Sequence, residues 1–313
     1  MKIKAIDLTK KYGSKTVVNK INFEIRNGQI LGLLGPNGAG KSTTIKMLSG
    51  QTEPTSGLIE IDGKQYSKVP SEFRTQIGVM PQDVIIWDSL TVKENLEFSG
   101  KIYKLSNKEL IKRRDFLIDA LNLKKELNTV ADHLSGGFKR RLNLAITIMN
   151  NPGAIFLDEP TPGIDPQNRR FLWEYISNLK TEDRSVILTD HYLDEAEKLA
   201  DYVVIIDSGN VIAEGTVKEL KKKYGSGDLV LIKFIENTKQ SNLETIFQKL
   251  KKSHPESQLF DNTISINTSN PIETMKFALQ EVEKGGLRYE EFQLKEPTLE
   301  DIFLILTGKN IRE

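Results

Sequence analysis

The stretch Gly35–Thr43, Gly-Pro-Asn-Gly-Ala-Gly-Lys-Ser-Thr, constrains the fold of this chain more than any other. It fits the pattern G-x-x-x-x-G-K-[ST], follows the apolar run ILGLLG (30–35), and opens into the helix-forming TTIKML. Glycines at these positions let backbone N–H groups converge on phosphate oxygens, and the following helix presents its positive end to them. Such a turn needs a buried strand before it and a helix after it, so the chain is expected to be α/β, of the P-loop NTPase type. Gly35, Pro36, Asn37, Gly38, Ala39, Gly40, Lys41, Ser42 and Thr43 form the expected cradle for ATP. Lys41 is placed to reach the β- and γ-phosphates, and the Ser42 hydroxyl to hold Mg²⁺.

The runs AIFLDE (154–159), SVILTD (185–190) and YVVIID (202–207) read as further strands of the same sheet. Their unbroken hydrophobicity suits strands covered on both faces. Segments 1–9, 16–26 and 57–62 alternate instead, which predicts an antiparallel β flank. Between the first two buried strands the chain reads as mostly helical, with a helical subdomain over about 88–150. There Leu142, Ala145, Ile146 and Met149 fall at helical spacing until NNPG (150–153) ends the pattern. A seam is expected at YGSGD (224–228), separating an ATP-binding domain at 1–223 from a smaller one at 226–313. Beyond the seam the periods alternate β-α-β-α-β-α, which predicts a small α+β domain.

Asp158 and Glu159 close the strand at 154–159. Alone, a strand-end acidic pair is usually a solvated loop start. Downstream of a P-loop, Asp158 can join the Mg²⁺ shell and Glu159 can polarise an attacking water. His191 follows the strand at 185–190 and is expected at the same carboxyl edge, where ligands of open α/β sheets bind. His133 and His254 read as structural or surface histidines. Tyr12 can either stack on adenine or pack its own turn.

A second glycine-bearing helix start lies in LSGGFKRR (134–141). Ser135, Gly136 and Gly137 supply a hydroxyl, backbone amides and a helix terminus, but no lysine and no base stand beside them. This stretch can bind a phosphate without completing a catalytic site. Two copies arranged head to tail would place each P-loop opposite the partner's Ser-Gly-Gly. An ordinary N-capped helix is the plainer reading of the stretch taken alone.

Composition narrows the partners. Lys+Arg number 44 against 43 Asp+Glu, so no global basic field calls for nucleic acid. The chain has no cysteine, which excludes disulfides, thiolate metal sites and cysteine nucleophiles. MKIKAIDLTKKYG reads as a strand rather than a secretion signal, and no apolar run approaches the roughly 20 residues of a spanning helix. A soluble, cytoplasmic chain is expected, with any membrane role exercised through a partner.

Taken in order, GPNGAGKST, PQD (81–83), LSGGFKRR, IFLDEP, PGIDP (162–166) and TDH (189–191) resemble the nucleotide-binding subunit of an ABC transporter, over roughly residues 1–220. The resemblance implies ATP and Mg²⁺ as ligands, hydrolysis in a homodimer that sandwiches two ATP molecules, and an integral membrane permease as partner. It places the chain on the cytoplasmic face of the membrane. It also implies residue roles. Gln82 would sense the Mg²⁺ and the attacking water, Ser135 and Gly137 would touch the γ-phosphate held by the other copy, and Asp165 would couple the two sites. His191 would be the switch histidine and Tyr12 would lie under adenine.

Two positions depart from the family's pattern. Phe138 stands where glutamine is usual, which implies a weaker contact to the opposite ribose and a shifted ATP affinity. Pro162 stands where serine is commoner. The tail EPTLEDIFLILTG (296–308), with Thr298 as N-cap and Asp301 three residues on, resembles the extension of ATPases serving drug and antibiotic exporters. Export of drugs, antibiotics or other amphipathic compounds is therefore expected. The alternatives are an importer ATPase and a soluble ABC-type ATPase acting on ribosomes or nucleic acid. The carboxy-terminal module argues against the first, and balanced charge with a single nucleotide domain against the second. A helical segment near Gln82–Leu96, with Trp87 and Phe98, is the expected docking element for the permease.

Overall fold

Alternating and unbroken hydrophobicity sort the amino-terminal strands into two sheets. The computed structural model describes residues 1–180, 184–190, 193–225, 227–235, 238, 240–255 and 257–307. β1 (Ile3–Tyr12) and β2 (Lys15–Ile25) form an antiparallel hairpin that buries Ile3, Ala5, Leu8, Ile21, Phe23 and Ile25. β3 (Ile30–Leu34) is buried along its whole length and leads through the glycine-rich loop into α1 (Lys41–Leu48). β4 (Ser56–Ile61) and β5 (Lys64–Tyr66) complete the first sheet, ordered β2-β1-β4-β5. After the single turn α2 (Ser71–Arg74), β6 (Ile77–Met80) enters the second sheet.

The helical subdomain contains α3 (Val92–Ile102), α4 (Asn107–Ala120) and α5 (Gly136–Thr147). Thr91 and Ser106 start α3 and α4 through reciprocal capping boxes with Glu94 and Glu109. Strands and helices then alternate: β7 (Ala154–Asp158), α6 (Pro166–Ser177), β8 (Ser185–Asp190), α7 (Leu193–Leu199), β9 (Tyr202–Asp207) and β10 (Asn210–Gly215). The second sheet runs β10-β9-β3-β8-β7-β6, parallel except at β10. Ile155, Leu157, Val186 and Leu188 pack with the helical subdomain. Leu31, Leu33, Phe156 and Ile187 pack with α1 and the antiparallel sheet. Each such side chain contributes about 1.5–3 kcal/mol of burial, and covering both faces is why these strands read as unbroken apolar runs.

Three features depart from the sequence reading. Helices dominate the stretch between β3 and β7 as expected, but β5 and β6, which the sequence did not announce, lie within it along with the expected β4. β6 is only Ile-Gly-Val-Met, too short to carry a period. Its Gly78 sits where a Cβ would stand 2.6 Å from the Thr147 carbonyl oxygen. Nor is Gln82–Leu96 one helix, since the chain is non-helical from Pro81 to Leu90 and α3 starts at Val92. Buried Asn95 holds that loop. Its Nδ2 donates to the carbonyls of Trp87 (3.0 Å), Leu90 (3.2 Å) and Thr91 (3.0 Å), and its Oδ1 accepts from the Trp87 N–H at 2.9 Å.

The chain divides into two compact units, Met1–Val217 and Lys218–Leu306, the boundary falling ahead of the Tyr224–Asp228 turn. From the boundary onward come α8 (Val217–Tyr224), β11 (Asp228–Phe234), α9 (Gln240–Ser253), β12 (Gln258–Phe260) and β13 (Thr263–Thr268). α10 (Pro271–Lys284), β14 (Tyr289–Lys295) and α11 (Leu299–Thr307) follow. The antiparallel sheet β12-β13-β11-β14 turns Val230, Ile232, Phe234, Ile264 and Ile266 into a core with Leu243, Ile246, Leu250, Ala278 and Val282. This is a small α+β fold. α11 opens on a reciprocal cap: the Thr298 N–H donates to Asp301 Oδ2 at 2.8 Å, and the Asp301 N–H to Thr298 Oγ1 at 3.2 Å. Among the described residues no helix is long and apolar enough to cross a membrane.

Candidate nucleotide site

Neighbouring strands β3, β8, β7 and β6 end at one level. Leu34 pairs with Asp190, Asp158 with Thr189, and Leu157 with Met80. The 35–40 loop, Asp158, Glu159 and Gln82 all leave these ends, so they line the carboxyl edge of the parallel sheet. His191 lies outside the described residues.

The loop after β3 is closed tightly from below. A Cβ on Gly35 would stand 2.1 Å from the Ile206 carbonyl oxygen, so no side chain fits there. The Ala39 N–H donates to the Pro36 carbonyl at 3.1 Å, and Gly40, at φ +105°, starts α1 without a side-chain cap. Ser42 and Thr43 lie in the first turn of α1, where backbone N–H groups have no acceptor further back in the helix. These amides are what the loop offers to an anion. Lys41 is buried, and its Nζ donates to the carbonyls of Gly35 (2.7 Å) and Pro36 (3.1 Å). Asn37, Gly38 and Ser42 form the exposed rim.

At the end of β7, Asp158 Oδ1 accepts from the Thr189 hydroxyl. Glu159 takes a φ of +48°, in the left-handed region, and its N–H donates to the Thr189 carbonyl at 3.1 Å. That conformation costs about 1–2 kcal/mol for a residue with a Cβ. It turns the chain out of the strand, and the Glu159 side chain meets Gln82, whose Nε2 donates to Oε2 at 2.8 Å. Strain of this kind clusters at functional sites. The Ser42 hydroxyl, the Asp158 carboxylate and the Gln82 amide oxygen are hard donors, the set that suits Mg²⁺.

Sequence reasoning missed Arg140. It is 7% exposed, and its Nη1 has no hydrogen-bond partner. Burial lowers its pKa, opposed by the charges of Asp83 and Glu159. Arg140 and Arg141 stand in the cationic run Lys139-Arg140-Arg141, yet both are buried on α5. The available signal was that the same helix also carries a long apolar stripe.

The second glycine pair is divided in its surroundings. Ser135 is exposed and caps α5 by accepting from the Phe138 N–H at 3.5 Å. Gly136 is exposed, and a Cβ there would approach nothing nearer than the Gly163 carbonyl at 3.9 Å. Gly137 is buried, and a Cβ there would stand 2.4 Å from Asn168 Cγ. Asp165 caps α6 by accepting from the N–H groups of Gln167 (3.1 Å) and Asn168 (3.0 Å). Tyr12 is 52% exposed, with the Lys10 ammonium 5.1 Å from its ring centroid.

Comparison with known proteins bears on this arrangement. Residues 18–162 match the family model described as ABC transporter, and residues 215–307 the one described as ATP-binding protein DrrA1-3-like, C-terminal domain. The chain is 35% identical to the linearmycin resistance ATP-binding protein LnrL of Bacillus subtilis, covering 99% of this chain and all of that one. It is 35% identical to the Nod factor export ATP-binding protein I of Ralstonia nicotianae, covering 98% and 94%. The post-hydrolysis dimer of the ATP-binding cassette MJ0796 bound to ADP and Pi aligns with a TM-score of 0.61 and 26% identity, over 68% of this chain and 98% of that one.

Proposed function

The chain belongs to the ATP-binding proteins of the ABC transporter family, and on that premise we propose that it works as one of two identical subunits hydrolysing MgATP to drive export through a separate membrane permease. It is an ATPase. The observation that carries its catalytic assignment is the 2.8 Å bond from Gln82 to Glu159, made between the ends of separate strands on the sheet edge that also bears Lys41.

In this reading Lys41 exchanges its bonds to the Gly35 and Pro36 carbonyls for β- and γ-phosphate oxygens, while the amides of residues 38–43 surround the phosphates. Ser42, Asp158 and Gln82 are the residues that would hold Mg²⁺, which would supply positive charge to offset that of the phosphates. Glu159 orients the attacking water and takes its proton. The water oxygen bonds to the γ-phosphorus as the bond to the β–γ bridging oxygen breaks, giving ADP and inorganic phosphate. Gln82 fixes the Glu159 carboxylate. Tyr12 stacks on adenine, and His191 acts as the switch histidine.

The second copy brings Ser135, Gly136 and Gly137 to the other face of the triphosphate, and Asp165 couples the two sites. Each nucleotide thus contributes contacts to both subunits, so the pair closes on ATP and loosens once the triphosphate is cleaved. Val84, Ile85, Phe98 and Ile102 expose apolar surface beside and along α3, which supports permease docking there on the cytoplasmic face of the membrane. The DrrA-like carboxy-terminal unit and the relatives named for linearmycin resistance and Nod factor export support outward transport of amphipathic compounds.

Glu159→Gln is the test. The variant should bind ATP, lose turnover by roughly a hundredfold or more, and elute as a dimer when ATP is present. Retained turnover, or a monomer in saturating ATP, contradicts the reading.

A further inference from the structure

We propose that Phe138, Arg141 and Asn168 are positioning residues that fix Asp165 from within the same chain, so that Phe138 serves its own subunit rather than the opposite nucleotide. The inference rests on the proposed pairing of subunits, in which Ser135 and Asp165 both act between the two sites.

Arg141, 6% exposed, is the centre of the arrangement. Its guanidinium carbon lies 3.8 Å from the Phe171 ring centroid and 5.1 Å from that of Phe138, both within cation–π range. Nη2 donates to Asn168 Oδ1 at 2.5 Å, and Nη1 to the Leu121 carbonyl at 3.5 Å. With the Asn168 carbonyl oxygen committed to Arg141, its amide nitrogen is turned to Asp165, donating to Oδ2 at 2.6 Å. The other Asp165 oxygen already accepts from the first turn of α6. Both oxygens of this carboxylate are therefore oriented, one by its own helix and one by α5 through Asn168. The charge of Asp165 in turn offsets the lowering of the Arg141 pKa by burial.

Gly137 joins the same unit. A Cβ there would overlap Asn168 at 2.4 to 2.9 Å, so the glycine is what lets Asn168 reach between α5 and Asp165. The exposed start of α5, at Ser135 and Gly136, and the loop at Asp165 are thereby linked by one series of contacts. Glutamine at position 138 would bring an amide in place of the ring that stacks on Arg141.

The test uses the full chain carrying F138L, F138Y, N168A or the F138L/N168A pair, with steady-state ATP turnover as readout. F138L and N168A are each expected to lower kcat by roughly tenfold, the scale of a displaced catalytic environment, with KM for ATP unchanged. The double variant should be no slower than the slower single, because links in one series fail together. F138Y keeps the ring and should keep kcat. A changed KM at constant kcat in F138L would place the ring against the opposite nucleotide and overturn the proposal. Losses that multiply, or wild-type rates in both singles, would overturn it too. Should F138L fail to fold, N168A and R141K leave the ring in place and carry the same reading. An active Glu159→Gln variant would sink the catalytic assignment alone and leave the result of this cycle standing.

Discussion

Gly137→Ala separates two reasons for a glycine at this position. If the residue is small only so that a phosphate can approach, alanine should weaken nucleotide handling and leave stability alone. Its surroundings argue otherwise. The added Cβ would stand 2.4 Å from Asn168 Cγ and 2.5 Å from Nδ2, so the Asn168 side chain has to leave. Arg141 then loses its 2.5 Å acceptor while 6% exposed, with a buried Nε that already lacks a partner. Losing a hydrogen bond to a buried charge costs about 1.5–3 kcal/mol. Replacing glycine by alanine within a helix returns about 0.5–1 kcal/mol. A net loss of about 1–2 kcal/mol corresponds to a fall in Tm of roughly 2–8 °C for a unit of this size. Thermal unfolding of the full chain reads this directly. Asn168→Ala removes the two nearest atoms and leaves only its own Cβ, 2.9 Å away, so adding Gly137→Ala to it should lower Tm by less than Gly137→Ala does alone. A Gly137→Ala variant with unchanged Tm and impaired turnover would refute the steric reasoning, as would a double variant that falls by the sum of the two.

Two further outcomes follow from the site. Arg140→Met removes a buried cation whose Nη1 lacks a partner, so Tm should hold or rise while ATP turnover falls roughly tenfold through the loss of charge opposite Asp83 and Glu159; a lowered Tm with normal turnover contradicts this. Gly35→Ala should lower Tm more than Gly38→Ala, because the first forces a Cβ onto the Ile206 carbonyl while the second meets only the strain of φ +78°; equal shifts in two parallel melts would show that the Gly35 contact is not limiting.

What could be read from the sequence follows from how far each feature reaches along the chain. The cradle at Gly35–Thr43 was legible because one contiguous stretch forms it, and β3, β7, β8 and β9 because burial on both faces leaves unbroken apolar runs. The Thr298 cap was legible for the same reason, its partner being three residues away. β6 and β10 were not: one has four residues, and the other alternates irregularly at an antiparallel edge. The left-handed φ of Glu159 had no signal at all, since nothing about a glutamate marks it.

The contacts that make the site more than a cradle all cross elements. Gln82 and Glu159 are 77 residues apart, Asp158 and Thr189 are 31, and Arg141 and Asn168 are 27. No local period records such pairs; strand order and helix packing create them. Gln82 was reached only through resemblance, and Arg140 and Arg141 were given no role because their burial on α5 exists only once the sheet and its neighbouring helices are in place. Asn168 is the limiting case. It is neither charged, aromatic nor glycine, so its own position announces nothing. The one local mark of it is at Gly137, where the chain forgoes a side chain to make room. A missing side chain that looks like a provision for phosphate can thus be a provision for another residue of the same chain, and only the distance from the absent Cβ to its nearest neighbour tells the two apart.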